Sequence, residues 1–334
     1  MQFDLARQPL VPAFLTLLAL AAGYLCTLGP LAGPETPFVA GQGMALPLPG
    51  ELLLRFQSTW PGWSKLLVLL AILFSGMTLG RMTVRYNLYS VGTCLPIPLF
   101  AIVACGIGTG AAPLPGFTVA LLGALAVKNF SRAFRNGYGF DALFRGALYL
   151  GALILTTPAA LPSVLLLPLA LLLFGRTSRE AVVAGAGLLL APLLFCYVNW
   201  GLGGDFWAPL TTIGERLLTG TPLGFIRSLP PLRQGLAGFI LVLNLAAILR
   251  FLADIYAAGT KQRFMLFFHI GSLALALAAL CGPAASAVDA ALPAIPSTLL
   301  IPFLLIRIRT PFATAIYLLL LSGTVAALAL PQHI

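Results

Sequence analysis

Apolar residues in this chain come in long runs rather than in alternation. Eleven runs stand out, at 10–31, 66–80, 95–110, 116–127, 142–157, 161–174, 181–198, 235–252, 264–281, 295–306 and 311–330. Continuous runs of this kind predict helices, whereas a barrel's strands would alternate apolar with polar. Their number and purity predict helices that cross a membrane. About 20 apolar residues span a bilayer core, and in lipid a backbone must satisfy its own hydrogen bonds, as a helix does. Several runs are short, with Pro158, Pro162, Pro168, Pro296 and Pro302 at or inside their edges. Proline removes a backbone donor and interrupts the helical ladder. The fifth and sixth runs are therefore expected to form a shallow hairpin, and the tenth a broken or re-entrant span.

Composition agrees with the pattern. Hydrophobic residues make up 60% of the 334 and charged residues 8%, where soluble domains carry about 25% charged. A soluble globular chain and a disordered one are both excluded. At roughly 20 residues per span no soluble catalytic domain fits. The expected architecture is all-α: a single integral membrane domain over 1–334, a polytopic bundle of about eleven helices. The first run is too long for the core of a secretion signal and is expected to stay as a helix.

Charge changes the picture by giving the bundle a direction. The formal net charge is +10, from 19 Lys and Arg against 9 Asp and Glu. A soluble protein so basic would suggest nucleic acid. In a membrane protein basic residues collect on the cytoplasmic side, so no nucleic-acid partner is expected. With the N-terminus in the cytoplasm, only Arg55, Lys65, Arg216, Arg227 and Arg233 fall on outer segments; the other 14 of the 19 fall inside. An odd number of spans then puts the C-terminus in the periplasm. Cys26, Cys94, Cys105, Cys196 and Cys281 show no CxxC spacing and read as small apolar packers.

The two longest non-spanning stretches, 33–64 and 199–234, both fall outside, and long connections of this kind are usually functional or disordered. Both are aromatic and apolar, so disorder is not expected. In the first, Pro49 and Gly50 precede Glu51, whose charge suits the first turn of a helix. Glu51 and Arg55 lie four apart, a spacing for a weak ion pair, while Leu52, Leu53, Phe56 and Trp60 can lie on the membrane. In the second, Asp205 stands between Trp200 and Trp207, and Leu210, Ile213 and Leu217 share a helical face with Glu215 and Arg216 on another. Arg216, Arg227 and Arg233 run against the inside bias. Arginine suits bidentate phosphate contact, and headgroup anchoring is the plainer alternative.

Inside the spans Asn244 and His269 are the notable polar groups, and polar groups there are functional candidates by default. His269, with no carboxylate along its helix, reads as an interhelical hydrogen-bonder. The pairs Asp141/Arg145 and Arg250/Asp254 are each four apart and read as structural. No acid is expected near the membrane midplane, which argues against ion-coupled transport.

Several phrases carry a family resemblance. Arg85-Tyr86-Asn87-Leu88 follows the second run, with Pro96 beyond it. Asp141 to Gly151, with Phe144, Arg145, Gly146 and Tyr149, opens the fifth run, followed by Pro158 and Pro162. Arg179-Glu180 leads into Gly185, Gly187 and Pro192. This order resembles an uncharacterised family of multi-pass inner-membrane proteins of Gram-negative bacteria, over roughly residues 65–200. Ala181 stands where that family carries an aromatic residue. The resemblance implies a bacterial inner-membrane location and no chemistry. A looser likeness of layout is to membrane glycosyltransferases of the GT-C type, which use polyprenyl-phosphate sugars. These have a cytoplasmic N-terminus, a large first external loop and a carboxylate just beyond the first helix, where this chain has Glu35.

Three functions remain open. The first is a transferase or polymerase acting on a polyprenyl-linked sugar on the periplasmic side. Glu35, Glu51 or Asp205 would be its base, and Arg55, Arg216, Arg227, Arg233 and Trp207 its substrate-binding groups. The second is a non-catalytic subunit of an envelope assembly machine. The third is a lipid or small-molecule transporter. Membrane lipids, a polyprenyl phosphate and an envelope protein are the partners these imply. No resident cofactor is called for, with a divalent cation at the outer acids left open.

Overall fold

The computed structural model describes residues 7–28, 46–108, 110–132, 137–218, 220–257 and 259–329. Among them every regular element is a helix. The first seven α-helices are α1 (Leu10–Thr27), α2 (Pro49–Thr59), α3 (Pro61–Arg85), α4 (Pro96–Ile107), α5 (Pro113–Arg132), α6 (Phe140–Thr156) and α7 (Leu166–Leu173). Then come α8 (Ser178–Gly201), α9 (Ala208–Leu218), α10 (Gly224–Ser228), α11 (Pro231–Ala253), α12 (Thr260–Cys281), α13 (Ala294–Arg307) and α14 (Thr310–Ala329). A 3-10 helix, Pro158–Leu165, runs straight into α7, and another, Ala287–Ala291, precedes α13.

Each of the eleven apolar runs is helical over most of its described residues. Eight segments are long and apolar enough to cross a membrane, and together they make this a multi-pass membrane protein: α1, α3, α5, α8, α11, α12, Ala287–Arg307 and α14. Pro96–Ile107 and Pro158–Leu173 are apolar but shorter. The sixth run carries Pro162 inside its 3-10 part. In the tenth, the 3-10 helix gives way to α13 around Leu292 and Pro293, upstream of the prolines that suggested a break.

The short helices are at the centre. Every residue of α4 is buried, and so is α13 from Ala294 to Leu305. In an 18-residue stretch of Ala287–Arg307, 94% of the residues are buried, whereas in such a stretch of α8 17% are, and α8 presents Val182, Leu189, Leu194 and Tyr197 outward. α4 is enclosed by α1, α3, α11, α13 and α14. Two bonds between distant elements fix this core: the Thr324 hydroxyl donates to the Ile102 carbonyl at 2.9 Å, and the Tyr89 hydroxyl to the Leu299 carbonyl at 2.8 Å. Between α6 and α8 the backbones come close. A side chain on Gly151 would strike the Leu188 carbonyl, and one on Gly187 the Phe144 carbonyl. Lipid removes the usual hydrophobic reward for helix pairing, so close packing over small residues takes its place.

The connections gather at two ends. At one, Leu46 bonds Asn199, Leu223 bonds Cys281, and residues near 50, 111, 157, 216 and 286 surround one cavity. At the other, Gln262 bonds Asn87, Arg307 pairs with Asp254, and Arg176 and Glu180 bond the backbone at Gly137 and Gly139. All four tryptophans of the chain, Trp60, Trp63, Trp200 and Trp207, are exposed at or beside helix ends on the cavity side. Exposed indoles at helix ends suit the boundary between lipid and water.

Candidate functional site

The site begins with how α2 is seated. Pro49 occupies the first turn, where its missing N–H costs nothing, and Glu51 stands in the same turn. Leu48, 2% exposed, packs against Leu155 and Ile213. Gly50 backs so closely onto the Thr156 carbonyl that any Cβ there would overlap it. Further along, Gln57 is fully buried; its amide donates to the Ala111 carbonyl at 3.3 Å and its oxygen accepts from the Leu114 N–H at 3.1 Å. These contacts pin α2 against α5 and α6 and fix where Glu51 points.

The second long connecting segment meets it there. Leu210, Ile213 and Leu217 form the buried face of α9, as their spacing predicted, and pack in the same cluster as Leu48 and Leu155. That seating turns Arg216, in the last turn of α9, onto Glu51: Arg216 Nη2 pairs with Glu51 Oε1. The spacing suggested Arg55 as the partner of Glu51; the structure gives it Arg216, 165 positions away. A helical i,i+4 pair gains only a few tenths of a kcal/mol, so packing of whole elements readily overrides it. Asn199 is a second strap. Its oxygen accepts from the Leu46 N–H at 2.7 Å and its amide donates to the Asp205 carbonyl at 2.5 Å. The turn that makes this possible passes through Gly203 at φ +89°, a conformation L side chains rarely adopt.

Glu51 and Arg216 stand on the wall of a cavity of about 560 Å³. Thr156, Thr157 and Pro158 line it from the α6 end, Ala111 and Ala112 from the loop before α5, and Pro283 to Val288 from the segment after α12. Side-chain exposures of 31% for Glu51 and 40% for Arg216 leave both within reach of a ligand. Behind the wall lies Asp289, with no exposed surface. One of its oxygens accepts from the Thr157 hydroxyl at 2.7 Å; the other accepts from the Ser286 N–H at 2.9 Å and the Ser286 hydroxyl at 3.0 Å. A carboxylate out of water needs such donors, and in return it fixes two residues of the cavity wall.

The other candidates are spread around this centre. Arg55 stands one turn beyond Glu51 on α2. Asp205 and Trp207 are exposed at the α8–α9 link, and Arg227 is exposed on α10; none of the three lines the cavity. Arg233, 4% exposed, is buried in the first turn of α11. Glu35 lies outside the described residues. Among the described residues no three His, Cys, Asp or Glu side chains gather as metal ligands would. His269 is fully buried, and neither ring nitrogen has a hydrogen-bond partner among the described residues, so it does not play the interhelical role its place suggested.

Sequence reasoning passed over Asp289, Gln57, Thr157 and Ser286. Ser286-x-x-Asp289 ahead of an apolar run is a capping-box pattern, and the structure forms that box. That signal was legible; the Thr157 contact, 132 positions away, was not. In comparison with known proteins, no family model, no curated protein and no solved structure matches this chain.

Proposed function

We propose that this is an inner-membrane transferase or polymerase of the bacterial envelope, acting on a polyprenyl-linked sugar at the cavity between α2, α9 and the segment before α13. In this reading all eleven apolar segments cross the membrane, the N-terminus is cytoplasmic, and the cavity faces the periplasm. One observation carries the site. Glu51 and Arg216 come from the two long connecting segments and meet on the wall of one cavity, in segments that carry the exposed tryptophans. Nothing in the packing of the bundle requires an acid and a base to converge over a hollow, whereas an anionic lipid head needs a cation held where the membrane meets water.

The chemistry follows from the pair. Arg216 takes the substrate phosphate through its planar fork and so releases the Glu51 carboxylate. Glu51 accepts the proton of the acceptor hydroxyl as its oxygen bonds the anomeric carbon. The bond from that carbon to the phosphate oxygen breaks, and its electron pair stays on the phosphate, where Arg216 stabilises the charge.

The test is complementation of a deletion strain, with lipid analysis of the purified protein. Glu51→Gln keeps the shape and removes the base; Arg216→Lys keeps the charge and removes the fork. Both variants are expected to fold and to fail. Arg216→Lys is also expected to lose co-purified polyprenyl phosphate, which Glu51→Gln retains. Growth at wild-type protein levels with both variants removes the catalytic reading and leaves the assembly-subunit one.

A further inference from the structure

A second cavity, of about 230 Å³, lies between α10, α11, α12 and the start of α13. Its walls are Phe225, Leu229, Leu273, Leu277, Leu280 and Pro293, and no charged side chain lines it. It reaches the outer face of the bundle at Gly238 and Leu241, both exposed on α11 in the middle of a span. Such an opening faces lipid rather than water. The short helix α10 sits over one end, tied down by the Gln234 amide, which donates to the Ile226 and Arg227 carbonyls at 3.0 and 3.2 Å.

Besides Gln234, whose amide is spent on α10, one polar pair breaks the apolar lining. Asn244, 1% exposed, donates from Nδ2 to the Ile240 carbonyl at 2.8 Å and to the Ser297 hydroxyl oxygen at 2.9 Å. The Ile240 carbonyl can only accept, so it fixes which way the amide is turned. Asn244 Oδ1 is then buried with no donor. An orphaned acceptor in such surroundings costs about 1–3 kcal/mol, and a water would need two to four polar partners to be held there. Ser297 spends its oxygen on Asn244, and its own proton is still to be given.

We infer that this cavity binds one chain of a neutral membrane amphiphile bearing a hydroxyl group, of the long-chain alcohol class. A hydroxyl is the group that answers both needs at once: it donates to Asn244 Oδ1 and accepts from the Ser297 hydroxyl. The absence of charged lining side chains excludes a phosphate at this depth, and the volume admits a single chain. The site stands independently of the transferase reading, since it shares no residue with the Glu51 cavity.

The experiment uses the full-length protein in lipid nanodiscs with a diazirine-bearing hexadecanol, photolysed and mapped by mass spectrometry. Label is expected on α11 and α12 around Gly238 and Leu277. Unlabelled hexadecanol should compete about 3- to 10-fold better than hexadecane or the methyl ether, the margin one hydrogen bond provides. A Cβ at Gly238 meets open space, so Gly238→Leu should fold, fill the mouth and cut labelling at least about tenfold. Asn244→Leu should erase the preference for the alcohol while leaving chain binding. Equal competition by hexadecane in the wild-type protein overturns the reading of the hydroxyl, whether or not Asn244→Leu folds. Labelling unchanged by Gly238→Leu overturns the site.

Discussion

The two ends of the bundle treat their acidic residues differently. At the end away from the cavity, each paired carboxylate has a partner within four positions, and Glu180 and Asp254 have a distant one as well. Glu180 accepts from the Thr177 N–H and hydroxyl and from Arg176, all within four positions, and from the Gly139 N–H. Asp141 pairs with Arg145 one turn on, and Asp254 with Arg250 and Arg307. Most of these contacts cap helices or close short turns, and the Arg307 pair ties the end of α13 to that of α11. At the cavity end, Glu51 finds its cation 165 positions away and Asp289 its hydroxyl 132 away. Local pairs require little ordering of the chain, while distant ones form only after the elements carrying them are packed. Sequence distance alone does not separate the two ends, since Asp254 and Arg307 also stand 53 positions apart; what sets Glu51 and Arg216 apart is that they meet on the wall of a cavity.

The largest expected effect separates pairing from chemistry. A charge-reversed double variant, Glu51→Arg with Arg216→Glu, restores the attraction but puts base and clamp on the wrong sides. It should express and still lose complementing activity on the order of 100–1,000-fold, the loss typical of one missing transition-state contact. Full activity of the swap would reduce the pair to a strut like those at the other end.

Next in size is Asp289→Ala. It strands the Thr157 hydroxyl and both Ser286 donors in a buried wall, at a cost of about 3 kcal/mol, seen as a lower melting temperature in detergent. Asp254→Asn at the opposite end should cost about 1 kcal/mol in the same assay, because its partners are a quarter to a half exposed and their attraction is screened. The smallest effect belongs to Asp141→Asn with Arg145→Gln. Both side chains are more than half exposed, so the double and each single variant should lie within about 0.5 kcal/mol of wild type. A larger loss there would mean that the two ends differ less than their geometry implies.

Much of the fold was legible because lipid punishes every alternative to a helix, so eleven apolar runs had to become eleven helical segments. Hydropathy could not say which would be central. A side chain facing a neighbouring helix and one facing lipid are equally apolar, and so α4 and α8 look alike in sequence while one is wholly buried and the other buries few of its residues. The candidate site was legible as a list of residues and not as a set of pairs. Glu51 and Arg216 were both singled out by charge and place, yet the sequence offered Arg55 as the nearer partner. Which of them Glu51 meets depends on Leu48, Gly50 and Ile213, three residues with no chemistry of their own. Asn244 was noticed as a polar residue in a span; that one side of its amide is satisfied and the other orphaned depends on Ile240 and Ser297, and only coordinates show it.

The central place of α13 bears on how the protein is made. This helix packs against α3, α4, α5, α11 and α12. α4, synthesised some 200 residues earlier, gains much of its cover from α11, α13 and α14. During synthesis the earlier helices must therefore wait in the bilayer with an unfilled seam, which closes only when α13 slides in. A chain stopped after α12 would lack its keystone and offer proteases a groove where the folded bundle has a core.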